Sequence, residues 1–123
     1  MSRLLERVAG ALGLGARAAV VEQTPPCVVF ARIEERLMPL QRGLKYEEPL
    51  NEALVRAKLG RVTGGGSVQG TDGRIEWVSL DIQLVDAGRA LQFTRRKLWE
   101  LGAPVGSVLK YNFEDGVATV PIA

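Results

Sequence analysis

Hydrophobic and polar residues alternate most regularly between Arg74 and Val85. Val78, Leu80, Ile82 and Leu84 interleave with Trp77, Ser79, Asp81 and Gln83. A period of two places the sets on opposite faces of a half-buried strand. Cys27 to Glu35 is a second extended run, rich in β-branched and aromatic types. Val29, Ala31 and Ile33 make one of its faces, and Phe30, Arg32 and Glu34 the other. Arg61 to Gln69 predicts a strand weakened by Gly64-Gly65-Gly66. Gly70-Thr71-Asp72-Gly73 is the hairpin turn that follows it. Ser107 to Phe113 and Val117 to Ile122 predict two last strands around a Glu114-Asp115-Gly116 turn. Pro121 marks the final strand as an edge.

Two segments change to a helical period. Glu47-Glu48-Pro49 opens the first, because acids and a proline suit a first turn. Its apolar stripe is Leu50, Ala53, Leu54 and Ala57, and Leu59-Gly60 ends it, with Gly60 expected in the left-handed cap. Met38 to Lys45, holding Pro39 and Gly43, reads as a long connection. Asp86 is the expected N-cap of the second helix. Its stripe is Ala90, Leu91, Thr94, Leu98 and Leu101, and Gly102 and Pro104 stop it.

The resulting order, βαββαβ followed by one more strand, is the α+β, ferredoxin-like split βαβ pattern. It predicts one antiparallel sheet over residues 24–123, with strands one and three central and both helices on one face. Before it, residues 1–23 predict an N-terminal helical arm, joined through Thr24-Pro25-Pro26. Arg3, Arg7 and Arg17 accompany Leu4, Leu5, Val8 and Leu12 there at helical spacing. Glu6 and Arg7 break any secretory apolar run, although an amphipathic, arginine-containing segment also fits a transit peptide. Gly10, Gly13 and Gly15 weaken the arm helix by about 1 kcal/mol each relative to alanine.

Composition changes the picture mainly by what is missing. The 123 residues, 46% hydrophobic and 24% charged, suit one globular domain. There is no histidine and only one cysteine. That removes Ser-His-Asp and Cys-His relays, imidazole metal sites, intramolecular disulfides and CxxC redox pairs. A non-enzymatic protein is therefore expected, with no catalytic residue, metal or cofactor; only carboxylate or lysine chemistry survives. The solitary Cys27 reads as an inert strand residue in a cytoplasmic protein. No run reaches the roughly 18 to 20 apolar residues of a membrane span.

Candidate chemistry then falls on the sheet face without helices. Alternation gives it Phe30, Arg32, Glu34, Trp77, Ser79, Asp81 and Gln83, with Thr63, Ser67 and Lys110 from flanking strands. Tryptophan and arginine are over-represented among interface hot spots. Phe30, Arg32, Glu34, Trp77 and Asp81 are therefore candidate partner-binding residues. Tyr46, Glu47 and Glu48 join them at the start of the first helix. Glu34, Glu35, Glu47, Glu48 and Glu52 make an acidic patch if the two regions meet, with Arg36, Arg42 and Lys45 interleaved to neutralise it. The partner is another protein or a second copy of the chain. Phe30 and Trp77 also occupy the two strands on which RNA-recognition domains stack bases. However, 16 basic and 14 acidic residues leave a net charge of +2, Asp81 and Glu34 would repel phosphate, and no basic-aromatic motif occupies Gly73 to Ser79. These argue against nucleic acid. Arg95-Arg96-Lys97 reads as a solvated helix face, and the glycine triplet, with no helix after it, as a bulge rather than a phosphate loop.

Tyr46-Glu47-Glu48-Pro49-Leu50 and Leu59-Gly60-Arg61-Val62-Thr63-Gly64-Gly65-Gly66, with Leu101-Gly102-Ala103-Pro104 and Gly106-Ser107, resemble a set of small uncharacterised bacterial proteins. The resemblance covers about Ile33 to Tyr111, and Glu48 and Ser67 stand where that pattern has Asp and Thr. Its compact, catalytically bare character is similar to immunity proteins. The resemblance thus implies neutralisation of a bacterial toxin by binding, an analogy at the level of the fold.

Overall fold

A computed structural model describes residues 27–113 and 116–123. The expected arm, the Pro25-Pro26 joint and the Glu114-Asp115 turn lie outside these. The elements are β1 (Cys27–Ile33), α1 (Pro39–Arg42), a π-helical turn (Gly43–Glu47), α2 (Glu48–Ala57), β2 (Gly60–Gln69), β3 (Ile75–Leu84), α3 (Arg89–Glu100), β4 (Val108–Phe113) and β5 (Gly116–Pro121). The five strands form one antiparallel sheet in the order β2-β3-β1-β4-β5. The chain is therefore α+β, with β1 and β3 inside the sheet and β5 at an edge.

Alternation places the core as the sequence predicts for β1 and β3. Val29, Ala31 and Ile33 of β1 and Val78, Leu80, Ile82 and Leu84 of β3 are buried. They pack with Leu50 and Leu54 of α2 and Ala90, Leu91 and Leu98 of α3. Each valine, leucine or isoleucine among them is worth about 1.5–3 kcal/mol when fully buried. The α2 stripe is narrower than expected: Ala57 is exposed, and Tyr46 extends the stripe one turn earlier. Thr94, also buried, donates its hydroxyl to the Ala90 carbonyl at 2.9 Å, which satisfies it. No described helix is long and apolar enough to cross a membrane.

Four expectations need correction. The Met38–Lys45 connection is helical. Pro39 takes the first helical position, where no N–H is needed. The Gln41 amide oxygen accepts the Met38 N–H at 3.0 Å, and Gly43 adopts ordinary right-handed helical angles. The left-handed cap after α2 falls on Lys58 (φ 60°), not Gly60. Gly60 serves close packing instead: a Cβ there would lie 2.2 Å from the Gln83 carbonyl oxygen. Asp86 caps α3 from two residues upstream of the N-cap Gly88, accepting the N–H groups of Gly88 and Ala90 at 3.0 Å. Finally, the bulge expected at the glycine triplet falls at its start, between Val62 and Gly64, and it corrects the face expected for Thr63 and Ser67. The extra residue, Thr63, shifts every later side chain to the opposite face. Gly64, Gly66 and Val68 thus oppose the open-face residues Asp81, Ser79 and Trp77, while Gly65 and Ser67 oppose Leu80 and Val78 of the core face.

That shift builds a polar clamp on the helix side. Arg42 donates through Nε to Glu47 at 2.9 Å and through Nη1 to the Ser67 hydroxyl at 3.1 Å. Ser67 in turn donates to the Leu37 carbonyl at 2.9 Å. Gly65 makes room: a Cβ there would lie 2.7 Å from the Ser79 carbonyl, 3.1 Å from Glu47 and 3.3 Å from Arg42. At the outer margin of β2, the Asn51 side chain of α2 accepts the Val62 N–H at 2.8 Å.

Candidate functional site

Both long helices pack on one sheet face, so the other presents β1 and β3 side chains directly. Phe30 lies in register with Asp81 on one side and Lys110 on the other. Arg32 lies opposite Ser79. The small Ser79 leaves space above the sheet, and the Phe30 and Trp77 rings lean together over it. Their centroids are 6.2 Å apart at 82°, an edge-to-face pair. The Arg32 guanidinium sits 4.2 Å from the Trp77 ring centroid and pairs with Glu34. Ser79 beneath is buried, whereas Phe30, Arg32, Glu34 and Trp77 are half-buried and Asp81 and Lys110 exposed.

This cluster is fixed from several directions. An edge-to-face ring pair contributes about 0.5–1.5 kcal/mol beyond its buried area, and a half-exposed cation over an indole about 0.5–1 kcal/mol. The Glu34 N–H donates to the Ser107 hydroxyl at 3.0 Å, which ties the end of β1 to the start of β4. The side chains are thus held in place by one another and have little conformational freedom left to lose.

The other three candidates lie elsewhere. Tyr46 is fully buried, so it anchors the fold and is not a contact for a partner. Its hydroxyl donates to Glu35, which also accepts from Lys45 at 2.7 Å. Burial, then the hydrogen bond to Glu35 and that carboxylate's charge, push the Tyr46 phenol far above its ordinary 10.0. Burial pushes Glu35 up, but the bonds from Lys45 and Tyr46 and the lysine charge outweigh it, holding the carboxyl below its ordinary 4.5. Glu47 belongs to the Arg42 clamp on the helix side, and Glu48 lies exposed in the first turn of α2. The acidic patch is distributed rather than continuous: Glu34 pairs with Arg32, Glu35 with Lys45, Glu47 with Arg42 and Glu52 with Arg56. Thr63 and Ser67 also leave the open face, Thr63 as the bulge residue with its hydroxyl on the Asp81 carbonyl.

Burial and, behind it, the Asp86 charge raise the Cys27 thiol above its ordinary 9.0. A thiol held protonated is a poor nucleophile. Among the described residues, no group of three or more Cys, Asp or Glu side chains is placed to hold a metal ion. The arrangement can present a stiff, mixed apolar and charged surface. Sequence reasoning set Arg42 among the acidic residues but missed its second partner Ser67, which the bulge brings to the helix side, and it missed Trp99, whose spacing from Arg89, Gln92 and Arg96 marks one exposed flank of α3. Comparison of the chain with known protein families, curated proteins and solved structures finds no match.

Proposed function

We propose that the protein is a non-enzymatic binding module that docks another protein on its open sheet face. The Phe30, Trp77 and Arg32 stack carries this reading: two aromatic rings and a guanidinium, held in place on a face that the long helices leave free. Trp77 and Phe30 supply apolar anchors, and Arg32, Glu34, Asp81 and Lys110 set charge complementarity. The most specific form is an immunity protein of the bacterial cytoplasm that neutralises a toxin by occlusion, as the sequence resemblance implies. The βαββαβ order, with β4-β1-β3-β2 as consecutive sheet neighbours, supports a ferredoxin-like frame for such a surface. The Glu34-Arg32 pair and Asp81 make the surface ill-suited to a phosphate backbone.

The test is capture of partners from the native cell by wild-type protein and by the Trp77→Ala variant. Trp77→Ala is expected to weaken binding of the captured partner by more than about 2 kcal/mol, with the far-ultraviolet circular dichroism unchanged. Equal binding by both proteins rejects the assignment of this face. Light scattering separates the second reading, in which two copies pair through their open faces. A concentration-independent dimer that Trp77→Ala dissociates favours self-association over occlusion.

A further inference from the structure

The second tryptophan marks a different surface. Arg89, Gln92, Arg96 and Trp99 recur at helical spacing along one exposed flank of α3, and Trp99 is 59% exposed. Between this flank and the chain beyond β5 lies a hollow of about 570 Å³, lined by Arg89, Phe93, Arg95, Arg96, Trp99 and Ile122, among others. Its shape is held on one side: the Arg95 Nε–H donates to the Pro121 carbonyl at 2.5 Å. Among the described residues, the carboxylate seen to pair with these arginines is Glu100, 3.5 Å from Arg96, and both of those side chains are largely exposed. So weak a surface pair gives way readily to a competing carboxylate.

We propose that this hollow is a docking surface for an acidic segment of another protein, one with an aromatic or large aliphatic side chain between carboxylates. Arg89 and Arg96 are seven residues apart on one helix, about 10 Å along its axis. In an extended peptide residues i, i+2 and i+4 share one face, with about 13 Å from first to last, a span that flexible arginine and glutamate side chains match. A carboxylate at i and another at i+4 then meet the two arginines, and the side chain at i+2 enters the hollow beside Phe93, Trp99 and Ile122. Arginine and tryptophan are over-represented among binding hot spots. The charge pattern disfavours single-stranded nucleic acid: Arg89 and Arg96 lie within two helical turns, and Arg95 is already committed to the backbone.

The chain's two tryptophans make the test internal, because Trp77 reports the open sheet face and Trp99 the hollow. The full chain, labelled with nitrogen-15, is titrated with an unlabelled decapeptide containing Glu-Ser-Phe-Ser-Glu. The Trp99 indole resonance is expected to shift while that of Trp77 stays in place. A decapeptide with Lys-Ser-Phe-Ser-Lys is expected to shift neither. Combining Arg89→Glu with Arg96→Glu is expected to weaken binding at least tenfold, with the unchanged Trp77 resonance certifying the fold. The proposal is overturned if Trp99 does not respond at millimolar peptide, or if a ten-nucleotide oligo-dT moves it at lower concentration. It is also overturned if the Trp99 resonance shifts with protein concentration alone, since a second copy then fills the hollow. None of these outcomes bears on the open face, which is read at Trp77.

Discussion

The two faces of one sheet are built from the same strands yet hold together by different means. On the covered face, Leu80 and Ile82 sit among helix side chains with no exposure, and stability comes from apolar area removed from water. On the open face, Ser79 and Asp81 alternate with them, and order comes from a few directed contacts among Phe30, Trp77, Arg32 and Glu34. Burial cements the first face, whereas the second is braced side chain to side chain. A face ordered in this way can keep its shape while remaining available.

The sharpest way to break this contrast is to truncate one residue on each side. Leu80→Ala is expected to cost about 2–5 kcal/mol of unfolding free energy, since it opens a cavity in the core. Trp77→Ala, despite removing a larger side chain, is expected to cost at most half of what Leu80→Ala does, because it forfeits only a ring pair and a cation contact. Urea denaturation of both variants measures the difference. Equal costs would mean that the open face is as integral to the fold as the core.

The glycine triplet offers the next comparison, within a single strand. Gly65→Ala drives a Cβ to 2.7 Å from the Ser79 carbonyl and crowds the Arg42-Glu47 clamp, and is expected to cost about 1–3 kcal/mol. Gly66→Ala places its Cβ 3.5 Å from the Ser79 hydroxyl on the open face, an ordinary contact, and is expected to lie within about 0.5 kcal/mol of wild type. Thermal melts of the two variants are enough to rank them.

Tyr46 and Glu35 set smaller effects, visible as pH limits. Glu35 titrates below its ordinary 4.5 in the fold, so its contribution is complete above that value and is lost as pH falls through the folded value. Tyr46 titrates above its ordinary 10.0, so its contribution is complete below pH 10 and is lost as pH rises beyond it. Tyr46→Phe is expected to cost about 1–2 kcal/mol at neutral pH, because the Glu35 carboxylate loses a partner. It is also expected to flatten the alkaline limb of the stability curve. Denaturation midpoints between pH 3 and pH 11 check both signs.

What the sequence made legible follows from local rules. Period-two alternation placed Val29, Ile33, Leu80 and Ile82 in the core and Phe30, Arg32 and Trp77 opposite them, because β1 and the Trp77–Leu84 stretch of β3 run without interruption. The same rule misplaced Ser67, because one extra residue at Thr63 inverts the remainder of β2, and bulges are set by what packs beneath. Pro39 and Gly43 were misread as loop residues for a related reason. Their helical conformation depends on the Met38-Gln41 cap and on Tyr46 reaching the core, and neither is visible in residue spacing. Of the candidate contacts, Phe30, Arg32, Glu34, Trp77 and Asp81 share one face. Tyr46 did not join them because a tyrosine before a helix reads alike whether it points inward or outward.

The Asn51 contact at the outer margin of β2 decides how this molecule meets its own kind. A ten-residue border strand holding four glycines is an invitation to fibril-like stacking, since foreign backbone can align on it at little steric cost. Here the Val62 N–H is already taken by a side chain, and the Thr63 bulge breaks the regular spacing that an incoming strand would need to match. A copy seeking to extend the sheet must first strip Asn51 from its donor. At this point of the edge the backbone is withdrawn from pairing by a side chain of the fold itself, a local guard placed where the strand changes register.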